Sequence, residues 1–319
     1  MQKQTLQRHH ASIQRAMIAF GFVVVLFWTI NVVNWALTGV MPGWLLVVYP
    51  LIAISGGVAF YIVLPRHARG IARKILLLIV GSFLIGIAYA SGRGNMQIEG
   101  LFFGLLTGIG LPVVLHYAIG KVFGPFIFGR IWCGWACWYS MVFDLLPYKS
   151  GDRTLSQRWA RLRYVHFFGS LGLVLALWYG VGYRGGALGT TGQHWFLIGL
   201  FLYHAVGIVM AIALRDNRAF CKYLCPVAVP LKATSRYALL KVKGDPSACA
   251  ACAKRTCVTV CPMNVRIPDY VTQGKRVLST ECILCQECIN TCPDDALKLS
   301  FGFDAGGEEL LNVRQSRHM

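Results

Sequence analysis

Long apolar runs separated by short polar blocks set the character of this chain. Six runs approach the roughly 20 residues that an α-helix needs to cross a hydrocarbon core. They are Ala16–Leu37, Gly43–Leu64, Ile75–Ala90, Leu101–Ile119, Tyr164–Tyr183 and Trp195–Leu214, and none contains Asp, Glu, Lys or Arg. The third is the shortest, and Gly81 and Gly86 lower its helix propensity. Gly104 and Gly108 form a GxxxG in the fourth, which suits either close helix approach or an ordinary glycine-rich membrane helix. Near Ser235 the composition changes, and the remainder of the chain is polar and rich in cysteine. The pattern predicts an all-α membrane bundle of about six transmembrane helices ahead of a smaller polar domain. The chain divides into an N-terminal two-span region (1–74), a four-span core (75–234), a cysteine-rich domain (235–300) and a tail (301–319).

Composition sharpens this. Of 319 residues, 56% are hydrophobic and only 14% are charged, against roughly 25% in soluble domains. The net charge of +18 would suit nucleic acid, but Lys and Arg stand in short blocks between the runs and form no basic helix or aromatic-and-basic stripe. With the N-terminus in the cytoplasm, the inside segments are 1–15, 65–74, 120–163 and everything after 214. Only Arg93 and Arg184 then lie outside, leaving 29 of the 31 Lys and Arg inside (31 − 2), as the positive-inside rule asks. Trp35, Trp44, Trp178 and Trp195 sit near run ends, where interfacial aromatics belong. The first run is long for a signal-peptide core and no small-residue cleavage site comes after it, so it reads as a retained anchor. The expectation is a multi-pass protein of a bacterial cytoplasmic (inner) membrane, in contact with lipid and not with nucleic acid.

The twelve cysteines point to metal. Cys282-x2-Cys285-x2-Cys288-x3-Cys292-Pro293 has the bacterial ferredoxin spacing, and Cys249-x2-Cys252-x4-Cys257-x3-Cys261-Pro262 repeats it with two extra residues. Three thiolates on a tight loop reach three corners of one cubane, and the fourth, before Pro, crosses to the other cluster. One [4Fe–4S] cluster is thus assigned to Cys249, Cys252, Cys257 and Cys292, and the other to Cys282, Cys285, Cys288 and Cys261. Paired structural zinc sites share the CxxC element, but a tandem run ending twice in Cys-Pro fits clusters better, so 235–300 is expected to be a C-terminal α+β two-cluster ferredoxin-like domain.

Four cysteines remain. Cys133-x3-Cys137 comes after the fourth run and Cys221-x3-Cys225-Pro226 after the sixth, both at the expected cytoplasmic side. If locally helical, each pair presents two thiols on one face. Together they read as a third metal centre, either an iron–sulfur cluster or a single iron, zinc or copper ion. The other readings are reduced structural thiols, or a disulfide, which a reducing cytoplasm disfavours.

Two CxxxC motifs after successive membrane hairpins, then tandem ferredoxin runs, resemble the NapH/NosR-type membrane polyferredoxins over roughly residues 75–300. The resemblance implies cytoplasmic clusters and electron flow between a quinol pool and a respiratory partner, as in a quinol dehydrogenase subunit. By position, Cys221, Cys225 and Pro226 match a complete CxxxCP motif. Cys133 and Cys137 match the cysteines of the other motif, where Trp138 replaces the expected Pro. The first two runs look additional to the family's four-span core. No flavin-attachment domain is evident, and the stretch 185–192 (GGALGTTG) reads as a flexible outer loop.

Quinol chemistry needs a proton-accepting group at membrane depth. The candidate quinone contacts are His116 and His166, at the expected cytoplasmic ends of the fourth and fifth runs, and His204, deeper in the sixth. For the first two, haem ligation or a plain interfacial position stays open. Glu99, at the outer end of the fourth run, reads as a solvated loop acid or as one that passes protons outward. Lys241, Lys243, Lys254 and Arg255 would dock an acidic partner, or face solvent or headgroups. No nucleophilic triad, phosphate-binding loop or catalytic carboxylate pair emerges. The reading is an electron-transfer subunit between the quinone/quinol pool and partner redox subunits of a membrane complex. It would use two [4Fe–4S] clusters and the candidate third centre. The alternative, a reductive maturation or assembly factor for a metalloenzyme, would carry a metal-handling appendage, and a redox sensor would carry an effector domain; the sequence shows neither.

Overall fold

In the computed structural model the described residues are 55–59, 61–90, 94–108, 112–148 and 155–312. The expected run Ala16–Leu37 and most of Gly43–Leu64 lie outside them.

Helix α1 (Arg66–Ala90) starts nine residues before the expected run, because its first turns bind polar partners instead of water. Arg69 donates to the carbonyls of Leu64 and Ile62, each at 3.1 Å, and Arg73 is buried against Asp144 and Glu287. Further along, α1 packs at Gly81 against Met141, so closely that a Cβ there would lie 2.6 Å from the Met141 sulfur.

The run Leu101–Ile119 is not one helix. It divides into α2 (Ile98–Thr107) and α3 (Pro112–Tyr117), the latter continuing through a π-turn (Ala118–Phe123) into α4 (Gly124–Phe128). Pro112 has no N–H to give and its ring blocks the preceding turn, so a helix arriving from the N-terminal side stops before it. Two short helices come next, α5 (Ile131–Trp135) and α6 (Trp138–Phe143).

Helix α7 (Leu162–Leu175) is entered by a 3₁₀ turn, Gln157–Arg161, and prolonged by a π-turn, Ala176–Gly180. This 24-residue stretch and α8 (Gly189–Leu214, 26 residues) are, among the described residues, the two helices long and apolar enough to cross a membrane. Val165, Phe168, Phe201, Val209 and Ile212 are all exposed on them. Such faces are costly in water and at home in lipid. Between these helices and the shorter ones lies a core of Ile98, Phe103, Val113, Phe143, Val174 and Phe196, each fully buried.

After α9 (Ala219–Tyr223) and α10 (Ala228–Ser235), strand β1 (Leu240–Gly244) pairs antiparallel with β2 (Leu297–Phe301), Leu240 opposite Phe301 and Gly244 opposite Leu297. Between the strands lie four short helices, α11 (Pro246–Ala251), α12 (Thr256–Thr259), α13 (Ile267–Val271) and α14 (Glu287–Asn290). The loops repeat one local form. Arg255 and Gln286 stand left-handed before α12 and α14, and Asn264 and Asp295 stand left-handed three residues after Cys261 and Cys292. A non-glycine residue with positive φ carries a local cost, and here it reverses the chain at matching points so that the thiols turn inward.

Candidate metal centres

The cysteine-rich part gathers its eight cysteines into two groups. Cys261, Cys282, Cys285 and Cys288 line one small cavity with Val242, Met263 and Ile283. Cys249, Cys252, Cys257 and Cys292 line another with Pro268 and Leu297. In the first group the amides of Met263, Asn264 and Val265 point at the Cys261 sulfur, the Val265 N–H at 3.4 Å. The amide of Leu284 serves Cys282 and that of Glu287 serves Cys285. Burial pushes the Cys282 and Cys285 thiols up to about 12. Four converging thiolates in an apolar cavity therefore need bound cations to hold them charged, as iron–sulfur ligation does. Amides aimed at sulfur and cavities walled by four thiols fit that group.

The remaining cysteines also converge, through a repeat offset by 88 residues (218 − 130). Arg130 and Arg218 each precede a five-residue helix, α5 and α9, that carries the first cysteine, Cys133 or Cys221. Each helix ends with the same bond, Ala136 N–H to Trp132 O at 3.0 Å and Leu224 N–H to Phe220 O at 2.9 Å. Cys137 or Cys225 is the next residue. The expected pairing of two thiols on one helix is thus corrected: in both motifs the helix closes before the second cysteine. Burial raises the Cys225 thiol, and Cys221, Cys137 and Cys133 raise it further, so all four act on one another. Among the described residues no three His, Cys, Asp or Glu stand close enough to hold a single metal ion. Four thiols are a donor set that an iron–sulfur cluster takes.

Buried ion pairs lock these groups together. Arg218 grips Asp144 with two bonds, at 2.6 and 2.7 Å, and donates to Cys133 O at 3.0 Å. Arg73 joins Asp144 and Gly134 O, both at 2.9 Å, to Glu287 at 3.0 Å. Glu281, beside Cys282, takes Arg130 at 2.7 Å, Arg163 at 2.9 Å and Lys232. Burial alone would push its carboxyl up; Arg163, Arg130 and Lys232 outweigh that and hold it far below the usual range. The positive-inside count treats these arginines as loop charge. Their signal is in the sequence, as an Arg three residues before the first cysteine of both CxxxC motifs. Lys241, expected to dock a partner or face solvent, is instead buried and paired with Asp304.

The three histidines fare differently. His204 has Nδ1 at 2.7 Å from Leu200 O and Nε2 at 3.2 Å from Trp138 O. A neutral imidazole has one N–H, so it donates to one of these carbonyls. His116 stacks on Trp138 at 6.1 Å and meets Trp132 edge-on at 5.6 Å, its Nε2 buried with no hydrogen-bond partner among the described residues. The cation of Lys121, in the π-turn, lies 4.2 Å over the Trp132 ring. His166 lies beside the second motif, Nδ1 at 2.9 Å from Leu224 O and Nε2 at 3.0 Å from Tyr203 OH. Glu99 is not a solvated loop acid. It is buried, and accepts from Ser170 and Tyr203 at 2.8 and 2.7 Å.

Comparison with known proteins bears on the same residues. A family model for a 4Fe–4S binding domain matches residues 102–156 and 198–232, the two stretches that carry the 88-residue repeat and its four cysteines. An uncharacterized protein of Methanocaldococcus jannaschii is 30% identical over 186 residues, 55% of this chain and 66% of that protein. The ferredoxin-type protein NapH of Haemophilus influenzae is 28% identical over 222 residues, 64% of this chain and 71% of its own. NapH of Escherichia coli is 26% identical over 226 residues, 64% of this chain and 70% of its own. No solved structure matches the chain. Sites and relatives together define an iron–sulfur protein of the electron-transfer class. Within that class the chain is similar to the NapH-type ferredoxin proteins, and its two long apolar helices agree with membrane association.

Proposed function

We propose that this protein carries electrons between the quinone/quinol pool and a redox partner through three [4Fe–4S] centres. It does so as a multi-pass protein of the inner membrane, with its cysteine groups on the cytoplasmic side. The ligands would be Cys133, Cys137, Cys221 and Cys225 for the centre nearest the bundle. Cys261, Cys282, Cys285 and Cys288 would hold the middle centre, and Cys249, Cys252, Cys257 and Cys292 the outer one. The carrying observation is that the three groups adjoin in series. Gly134, next to Cys133, lies against the backbone of Ile283 and Cys285. Cys221 and Cys261 both act electrostatically on the Lys222 ammonium, and Cys257 acts on the Cys288 thiol.

When bound, each cluster takes or gives one electron with little movement of its ligands. The chain's own residues do the rest. The walls of Val242, Met263, Ile283 and Leu297 exclude water from the two outer cavities. The ion pairs of Arg73, Arg218 and Asp144 fix the first group against the second. Lys243, Lys254 and Arg255 offer a basic surface to an acidic partner subunit.

Anaerobic purification with iron and acid-labile sulfide analysis tests the proposal. Three clusters give about twelve irons per chain, and a Cys221→Ser/Cys225→Ser variant should retain about eight. About eight in both would remove the third centre. Zinc in place of iron would end the electron-transfer reading.

A further inference from the structure

A chain of hydrogen bonds links three helices beside the Cys225 end of the innermost cysteine group. Ser170 Oγ on α7 donates to Glu99 Oε1 on α2 at 2.8 Å. Tyr203 OH on α8 contacts the same oxygen at 2.7 Å and His166 Nε2 at 3.0 Å. His166 Nδ1 lies 2.9 Å from Leu224 O, one residue before Cys225.

Counting hydrogens shows what this chain can hold. Leu224 O only accepts, so His166 Nδ1 carries a hydrogen. Tyr203 has one hydroxyl hydrogen for two neighbours. Given to Glu99, it obliges His166 Nε2 to carry a second hydrogen, and an imidazolium faces a carboxylate. Given to His166, it obliges the Tyr203 oxygen to accept from a protonated Glu99, and both ends are neutral. Each arrangement satisfies every contact, and they differ only by one hydrogen moved along each of two bonds. Taking that proton away sets the lone pairs of Tyr203 and His166 against each other across 3.0 Å. The chain thus holds one proton that can sit at either end.

Its setting is also informative. Glu99 is buried, with Tyr117 and Tyr139 close by. His166 and Tyr203 are half-exposed among the lipid-seeking side chains of Val165, Phe168, Phe201 and Leu202. An interhelical polar tie accounts for the Ser170–Glu99 bond. It gives no reason for a histidine and a tyrosine opening onto the apolar surface next to a cysteine group.

We propose that His166, Tyr203 and Glu99 form a proton relay that takes up the protons of a lipid-borne hydroquinone oxidised at the innermost cysteine centre. This rests on the redox role proposed for that centre. The hydroquinone loses its two O–H hydrogens and becomes the quinone. Its two electrons pass singly to oxidised [4Fe–4S] centres. Its two protons enter the relay one at a time, each displacing to water the proton the relay already holds.

The test uses the full-length protein in lipid nanodiscs with duroquinol as donor, following cluster bleaching by stopped flow in H₂O and D₂O. Tyr203→Phe and Glu99→Gln should slow bleaching by roughly a hundredfold and change the solvent isotope effect. Iron content and the dithionite-reduced EPR spectrum should stay those of the wild type, and Glu99→Asp should restore part of the rate. Variants with full iron, a wild-type rate and a wild-type isotope effect would overturn the relay and leave the electron path standing. A wild type with full iron that takes no electrons from duroquinol would overturn the quinol reading itself, and the relay with it. Should the variants fail to assemble, redox-difference infrared spectra of the wild type decide. A carboxyl band that shifts as the innermost centre is reduced supports the relay, and its absence overturns it.

Discussion

Glu281 is the residue on which the most charge converges, with two arginines and a lysine around a carboxylate that is 4% exposed. A buried pair stripped of one partner costs about 3–5 kcal/mol, because the charge left behind is neither paired nor hydrated. Glu281→Gln should therefore melt well below the wild type, as read by tryptophan fluorescence in detergent. The sign of the pH effect comes from its lowered folded value. The stabilisation is fully present above the unfolded glutamate value of about 4.3 and is lost as pH falls through the folded one. The wild-type melting temperature should drop steeply on acidification below about pH 4, and Glu281→Gln should lack that share of the drop. Equal acid slopes for both proteins would remove Glu281 from the account.

At the scale of elements, fit between backbones decides more than side-chain identity. A Cβ on Gly134 in α5 would lie 2.5 Å from the carbonyl oxygen of Ile283, and neither backbone can yield as a flexible side chain would. Gly134→Ala should destabilise by about 1–3 kcal/mol and open the contact between α5 and the middle cysteine group. Electron transfer from the innermost to the middle centre should slow while total iron stays constant, which freeze-quench EPR would show. Gly86 in α1 has nothing within 4 Å of the same added atom. Gly86→Ala should be neutral or stabilise by up to about 1 kcal/mol through helix propensity. If the two variants behave alike in a melt, the α5 contact is not a tight junction.

For the whole molecule, the lipid-facing helices and the ion-locked cysteine groups make one prediction about placement. Native membranes washed with alkaline carbonate should retain the protein. A fluorescent protein fused after Met319 should mature on the cytoplasmic side, whereas one inserted at Gly189 should stay dark after export. Fluorescence from the Gly189 fusion would reverse the orientation and contradict the charge count. The legibility of the molecule in its sequence is uneven at this scale. Runs such as Trp195–Leu214 are readable because crossing lipid requires an unbroken apolar helix, and α8 extends only six residues before that run. The break at Pro112 is written in the same code, but a hydropathy run does not register a missing N–H.

The sequence by itself determined the apolar runs and the two ferredoxin spacings. Each of these is a local matter of period, ring closure and turn. Tertiary structure decided what depends on residues far apart in the chain. It drew two Arg-led motifs into one tetracysteine group and turned loop arginines into buried partners of Asp144 and Glu281. It also took Glu99 from an expected loop into contact with Tyr203, 104 positions away. A spacing code carries no term for such encounters, because their energy comes from desolvation and from partners that only the folded chain supplies.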